Sequence, residues 1–281
     1  MLELISEHAC FGGVQRFYSH PSSEIGLPMR FSVFLPAQAR LGKVPALFYL
    51  AGLTCSEETF MIKAGAQRAA AAQGLMLISP DTSPRGSGIA GESDSWDFGL
   101  AAGFYVDATQ APWDARYRMY SYVLELHQAL VQALPVDPLR VGIFGHSMGG
   151  HGALVLALRN PALFRSVSAF APICAPSQCP WGKKAFSGYL GQNEQDWLPY
   201  DATALMATGR SNPFPNGILV DQGLADKFLP DQLFPEAFEQ ACEKAQQPLQ
   251  LRRQAGYDHG YYFISTFVED HIRFHSDQLS R

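Results

Sequence analysis

The chain has 281 residues, of which 47% are hydrophobic and 17% charged, and its formal net charge is −5. This apolar content permits a large packed core and argues against disorder. A slightly acidic balance without a block of like charge argues against nucleic acid or an anionic membrane as the main partner.

The N-terminal segment MLELISEHACFGG lacks a basic region followed by a long apolar run, so no secretory signal is predicted. No apolar run reaches the length of a membrane span. The five cysteines are odd in number and irregularly spaced, which argues against a disulfide framework or a zinc site. We therefore expect a soluble cytoplasmic protein with reduced thiols.

The first part of the chain alternates predicted strands with one helix. Strands are predicted over 30–36, 44–52 and 75–81, and a helix over 58–74. The stretch 82–112 that follows is rich in Gly, Asp and aromatic residues. Loops of this length inside compact domains tend to be functional.

The rest of the chain continues the alternation of strands and helices. Helices are predicted over 115–134, 148–160, 233–245 and 261–275, and strands over 140–145, 164–172, 216–223 and 249–253. Alternation of this kind indicates a mostly parallel sheet with helices on both faces. We expect one α/β domain spanning residues 1–281.

One turn between a predicted strand and a predicted helix carries a candidate nucleophile. The stretch VGIFGHSMGGHGALVLAL places Ser147 in a Gly-x-Ser-x-Gly pattern. Gly145 and Gly149 would remove side chains that clash in a strained elbow, and the Met148 amide would point toward an oxyanion. The alternative is a glycine turn that serves only close packing. Dinucleotide and P-loop patterns are absent from the sequence.

A serine nucleophile of this kind needs a base later in the chain. His146 is adjacent to Ser147 and is expected to point elsewhere, and His151 sits one turn along the same helix, out of reach. His259, in the loop sequence AGYDHGYYF, is left as the predicted base.

Two further histidines have a spacing that superficially resembles a metal pair. His271 and His275 are four residues apart in the last predicted helix, but no third ligand motif accompanies them. We expect them to lie on a solvated helix face.

The acid that orients the base is not determined by the pattern. Asp221 and Asp226, in ILVDQGLADKFL, both follow the Ser147 segment at a suitable place. Asp258 is too close in sequence to turn back onto the ring of His259. Asp221 and Asp226 both remain candidates.

The loop LAGLTCSEETF, after an early strand, is the expected source of the second oxyanion donor, which we place at the Leu53 amide. Cys55 lies two residues further on and is expected to be a buried, inert thiol. A hypothesis of regulation follows from its position, because a bulky adduct on Cys55 would block the pocket.

Several blocks of the sequence resemble one known family. GLTCSEETF, DTSPRG, DSWDFG, RYRMYSY, GHSMGGHGAL, DQGLADKFL and GYDHGYYF, within residues 52–263, are similar to those of S-formylglutathione hydrolase, or esterase D. The resemblance implies an α/β-hydrolase fold, a cytosolic and often dimeric enzyme, and hydrolysis of S-formylglutathione to glutathione and formate. It also implies cleavage of small acyl esters and places the acid at Asp226.

The implied mechanism is a two-step acyl transfer through Ser147 that needs no metal or organic cofactor. A formyl group is small, so we expect Trp96, Phe98 and Trp181 to line a cramped acyl side. Two other functions are compatible with the sequence. One is a broad carboxylesterase or acyltransferase on the same scaffold, and the other is a catalytically silent binding module.

Overall fold

The computed structural model describes residues 2–209 and 211–280, and these contain one sheet of nine strands. The strands are β1 Glu3–Cys10, β2 Gly13–Pro21, β3 Pro28–Leu35, β4 Val44–Leu50, β5 Met76–Pro80, β6 Val136–His146, β7 Ser166–Phe170, β8 Ile218–Gly223 and β9 Leu249–Gln254. Their order in the sheet is β1-β2-β3-β5-β4-β6-β7-β8-β9. β1, β2, β3 and β5 pair antiparallel, and every pairing from β5 to β9 is parallel.

Eight α-helices lie in the same described residues. They are α1 Thr59–Lys63, α2 Ala66–Gln73, α3 Met119–Ala133, α4 Met148–Arg159, α5 Pro180–Leu190, α6 Ala202–Thr208, α7 Pro235–Lys244 and α8 Tyr261–Leu279. None of the helices in these ranges is long and apolar enough to cross a membrane.

Helices cover the central strands on both faces. The ring of Phe144 on β6 lies against His275 of α8, with ring centroids 5.5 Å apart. Phe48 on β4 pairs in register with Ile143, the neighbour of Phe144, so its side chain points to the opposite face. There it meets His127 of α3 at 6.0 Å. Burial on both faces explains why β5, β7 and β8 are continuously buried.

The predicted alternation is confirmed for the central strands and for the four helices predicted after residue 114. The single helix predicted over 58–74 is wrong, because α1 and α2 are separate helices. Gly65, which caps α2 at its start, has a φ of +70°, a left-handed conformation that interrupts the helix.

The sequence analysis missed β1, β2, α5 and α6. β1 is an edge strand with exposed or half-buried residues throughout. It therefore lacks the alternation of apolar and polar residues that identifies a half-buried strand. The helix α5 contains Gly182 and Gly188, which are weak helix formers, and α6 contains only 7 residues, too few for a clear helical period.

The fold brings the ends of several strands together at one edge of the sheet. Because β4, β6, β7 and β8 run in the same direction, the residues after Leu50, His146, Phe170 and Gly223 all emerge there. The loop of residues 82–112 leaves the same edge after β5. Ligands bind at this edge in open parallel sheets.

Candidate active site

The turn between β6 and α4 is a strained elbow. Ser147 has φ 57° and ψ −119°, a conformation that costs about 1–3 kcal/mol for a residue other than glycine. A Cβ on Gly145 would lie 2.2 Å from the Gly149 carbonyl oxygen, and one on Gly149 would lie 1.9 Å from the Leu50 carbonyl oxygen. Both glycines of the pattern are therefore required by close backbone contact.

Ser147 and His259 line the same cavity, which has a volume of about 240 Å³. Its walls come from the loop after β4, the elbow, the 82–112 loop and the segments around residues 181, 228 and 259. The lining residues are Gly52, Leu53, Thr54, Cys55, Trp96, His146, Ser147, Trp181, Phe228, His259 and Tyr261.

His259 is oriented by Asp226. The Nδ1 atom of His259 lies 2.5 Å from Oδ2 of Asp226, whose side chain is fully buried. The backbone N–H of Phe228 donates to Oδ1 of Asp226 at 2.8 Å, and Nε2 of Gln222 donates to Oδ2 at 3.3 Å. With Nδ1 engaged by the carboxylate, Nε2 is the ring atom of His259 that is left for proton transfer.

Asp221, the other candidate acid, belongs to a different cluster. Arg252 contacts both of its carboxylate oxygens, with Nε donating to Oδ1 at 2.8 Å, and Nε2 of His271 lies 3.0 Å from Oδ2. Burial raises the pKa of Asp221, but the hydrogen bonds with His271 and Arg252 outweigh it and lower the pKa to about 2. Only Asp226 contacts His259 among these two carboxylates.

The prediction that His271 and His275 lie on a solvated face is wrong. Both side chains are fully buried, because this face of α8 packs on the sheet. The ring nitrogens of His275 are hydrogen-bonded to the hydroxyl groups of Ser166 and Ser168 at 2.7 and 2.8 Å. Burial lowers the pKa of both histidines, so they are held neutral as structural groups.

His146 does not bond to Ser147 in the described residues, because neither of its ring nitrogens has a hydrogen-bond partner. It is nevertheless one of the residues that line the cavity, and its ring centroid lies 4.5 Å from that of His259. Burial, followed by the nearby His259, lowers its pKa well below the ordinary value. His151 is buried, lies 2.9 Å from the Phe104 carbonyl oxygen through Nε2, and has a pKa lowered by burial to about 4.

Two backbone amides beside Ser147 are free to bind an oxyanion. Within residues 2–209 and 211–280, the N–H groups of Leu53 and Met148 have no hydrogen-bond acceptor. Met148 is the first residue of α4, where the helix dipole also favours negative charge. Leu53 lines the cavity.

Aromatic rings form one wall of the cavity. Trp96 meets the edge of Trp181 at 5.7 Å, Trp181 contacts Phe228 at 4.7 Å, and Phe228 contacts His259 at 5.0 Å. Sequence reasoning missed Phe228 and Tyr261. Phe228 lies two residues after the proposed acid and Tyr261 two residues after the proposed base, and this proximity is the signal that could have indicated them.

Phe98 does not line this cavity. Its ring stacks on Tyr189 at 4.5 Å and meets the edge of Trp113 at 4.8 Å. The phenyl ring also occupies the space beside Gly188, where an added Cβ would lie 2.5 Å from it. Phe98 therefore packs the 82–112 loop against α5 rather than contacting an acyl group.

Cys55 lines the cavity and is half-buried. Burial raises the pKa of its thiol, so it is protonated at neutral pH. All five cysteines are free thiols. In the ranges that the structure describes, no group of three or more His, Cys, Asp or Glu side chains could hold a metal ion.

The chain is similar over nearly its whole length to known esterases. Residues 22–274 match the family described as "Putative esterase". The chain is 57% identical over 281 residues to S-formylglutathione hydrolase of Mus musculus, covering 99% of each chain. It is 50% identical over 278 residues to S-formylglutathione hydrolase of Paracoccus denitrificans, covering 99% of this chain and 98% of the relative.

A solved structure of an S-formylglutathione hydrolase from Agrobacterium tumefaciens superposes with a TM-score of 0.95 at 45% identity, covering 99% of each chain. The family predicted from the sequence blocks is thus confirmed, and so is the predicted fold. The chain belongs to the S-formylglutathione hydrolase family, with the α/β-hydrolase fold.

Proposed function

We propose that the protein is a serine thioesterase that hydrolyses S-formylglutathione to glutathione and formate, a step that completes glutathione-dependent formaldehyde detoxification. One observation carries the proposal. His259 bonds to the buried Asp226 at 2.5 Å and shares a cavity with the strained Ser147. The nucleophile, the acid and the base occur along the chain in that order, which is usual in this fold.

The reaction proceeds in two steps. His259 takes the proton of the Ser147 hydroxyl, and Oγ attacks the carbonyl carbon of the thioester. The amides of Leu53 and Met148 bind the oxyanion, each contributing about 3 kcal/mol of transition-state stabilisation. Glutathione leaves with the proton from His259. Water, activated by the same ring, then releases formate from the serine, while Asp226 stabilises the imidazolium.

The size of the cavity favours a small acyl group. Its volume of about 240 Å³ is below the usual range of ligand pockets, and Trp96 and Trp181 occupy one wall. The apolar lining leaves a broad carboxylesterase or acyltransferase as the second candidate, with longer acyl esters or acceptors other than water as its substrates. A catalytically silent binding module is the third.

The test compares kcat/KM for S-formylglutathione with that for aryl esters from formate to octanoate. We expect a strong preference for the formyl thioester, and a loss of about 10⁶ in kcat for Ser147→Ala. A rate that stays flat or rises with acyl length would replace this function with a general esterase. Failure of a fluorophosphonate to label Ser147 would leave only the binding module.

Cys55 is proposed as the point of thiol sensitivity. It lies in the cavity wall beside Leu53, so a bulky adduct would fill space that the substrate needs. Because the thiol is protonated, modification will be slow. Cys55→Ser should abolish inhibition by a bulky thiol reagent with little change in activity. Unchanged inhibition would contradict the role of Cys55.

A cytoplasmic location and a homodimer are part of the same proposal. Five free thiols and a glutathione thioester as substrate suit a reducing compartment. The edge strand β1 exposes Leu4 and Ile5, and Phe11 follows it, each about half exposed. An exposed apolar edge strand is a natural surface for pairing. Light scattering during size-exclusion chromatography would measure the mass in solution.

A further inference from the structure

A second cavity, of about 590 Å³, lies at the same edge of the sheet. Its charged lining residues are Arg30, Glu57, Glu58, Asp81 and Arg85. Arg30 lies near the start of β3 and Asp81 directly after β5, and these antiparallel strands pair Phe31 with Pro80. The charges therefore collect beside the carboxyl ends of the parallel strands. The mechanism at Ser147 uses none of them.

The carboxylate of Glu57 is buried in this cavity without a side-chain partner. Glu57 is only 4% exposed. In residues 2–209 and 211–280 no side chain donates a hydrogen bond to its carboxylate. Burial, followed by the charge of Asp81, raises the pKa of Glu57, and the nearby charge of Arg30 offsets only part of this effect. A cationic donor bonded directly to Glu57 would relieve the remaining cost.

Two exposed arginines, Arg30 and Arg85, are among the residues that line this cavity. Arg85 uses Nε and Nη2 on Asp81, at 2.8 and 2.6 Å, and Nη2 also donates to the Cys55 carbonyl oxygen at 2.9 Å. Its Nη1 group and the whole guanidinium of Arg30 have no hydrogen-bond or ion-pair partner in the described part of the chain. A simple anion would be repelled by the carboxylate of Glu57, and a simple cation would be repelled by the two arginines. A zwitterion can place its positive group beside Glu57 and its negative group beside the arginines.

The two cavities share one wall. Cys55 lines the Ser147 cavity, and Ser56 and Glu57 line the second. Consecutive Cα atoms are about 3.8 Å apart, so the Cα of Glu57 lies within about 8 Å of that of Cys55. In glutathione the sulfur is on the central residue, and the γ-glutamyl arm extends from that residue by about the length of two residues, roughly 7 Å. This length is comparable with the separation of Cys55 and Glu57, so a glutathione whose thioester lies beside Cys55 would extend toward the second cavity.

We propose that this second cavity binds the α-amino-acid end of the γ-glutamyl residue of the substrate. Glu57 holds the α-ammonium group, and Arg30 with Nη1 of Arg85 holds the α-carboxylate. This inference rests on the proposed function, because it assigns the part of S-formylglutathione that lies furthest from the thioester.

Three formyl thioesters separate the two charges. The first is S-formylglutathione. In the second a glutaryl group replaces the γ-glutamyl residue and removes only the ammonium group, and in the third a butyryl group removes the carboxylate as well. For wild type we expect KM to rise about tenfold at each removal, with kcat nearly constant.

Glu57→Gln should equalise KM for the first two substrates. Arg30→Met should reduce the difference in KM between the second and third, because only Nη1 of Arg85 then remains for the carboxylate. Glu243→Gln, which makes the same charge change on an exposed part of α7, is the matched control and should behave as wild type. Hydrolysis of 4-nitrophenyl formate, which has neither charge, should be unchanged in all variants.

Equal KM values for the three thioesters in wild type would overturn the inference while the proposed function stands. No turnover of S-formylglutathione by wild type would overturn both. Should Glu57→Gln also lose hydrolysis of 4-nitrophenyl formate, the variant is misfolded. The KM values of wild type and of the exposed variant Arg30→Met then provide the test. If Arg30→Met keeps the wild-type difference in KM between the second and third thioesters, the carboxylate site is contradicted.

Discussion

The described residues contain two pairs of Asp and His near the carboxyl end of β8, and the pairs differ in what surrounds them. Asp226 and His259 are 2.5 Å apart, and the histidine side chain is 16% exposed in the cavity of Ser147. Asp221 and His271 are 3.0 Å apart, and neither side chain is exposed at all. The remaining ring nitrogen of His271 is hydrogen-bonded to Ser168 at 2.8 Å.

An Asp–His pair is therefore not sufficient for catalysis. The ring of His259 keeps one nitrogen for a substrate proton, whereas both nitrogens of His271 are occupied inside the core. The carboxylates differ in the same way, because Asp221 also neutralises Arg252, while Asp226 accepts only from neutral donors besides the histidine. The open pair is suited to move a proton, and the closed pair to stabilise the fold.

The largest expected effect comes from replacing each histidine with glutamine. His259→Gln should lower kcat by roughly 10⁶, since Ser147 loses the base that we propose for it. His271→Gln should leave kcat near wild type but reduce the free energy of unfolding by about 2 kcal/mol, because it leaves buried polar groups without partners. Steady-state kinetics and urea denaturation measure the two effects. A large loss of kcat in well-folded His271→Gln would erase the distinction.

Replacing each aspartate with asparagine should give smaller effects, on kcat for one residue and on stability for the other. Asp226→Asn should lower kcat about 10⁴-fold while the protein stays folded, because the histidine loses its tautomer control. Asp221→Asn should lower the free energy of unfolding by about 3 kcal/mol, because the charge of Arg252 is then incompletely paired. If instead Asp221→Asn alone abolished activity, the assignment of the acid would be incorrect.

The smallest effect is on the pH dependence of stability. Burial lowers the folded-state pKa of His271 and His275, so the unfolded chain takes up protons first as the pH falls below about 6.5. The free energy of unfolding should therefore decrease between pH 7 and 5.5, by up to about 1 kcal/mol for each of these two histidines and more for His275, whose pKa is lowered further.

Asp221 contributes in a separate window, because its folded pKa of about 2 keeps its stabilisation intact until the pH falls below about 4. Urea denaturation at several pH values measures the slope. His275→Gln should make the slope between pH 7 and 5.5 shallower, and the exposed His8→Gln should not. A slope that is unaffected by His275→Gln would show that this histidine is not held neutral.

The sequence by itself determined the succession of the central strands and helices along the chain, the elbow at Ser147 and the candidate base. These features depend on local chemistry. The periodicity of apolar residues indicates the strands and helices, and the two glycines indicate a tight turn in which side chains at those positions would clash. The elimination that left His259 also needed only the order of residues along the chain.

The local pattern left Asp221 and Asp226 open as the acid, and before the structure only the family resemblance favoured Asp226. The tertiary structure shows the contacts themselves, which join each aspartate to a histidine at least 33 residues away. It also buried His271 and His275, moved Phe98 out of the pocket and placed Phe228 and His146 in it. Each of these outcomes depends on which face of an element is covered once the sheet twists and the helices pack. No local pattern carries that information, because the covering residues are distant in the chain.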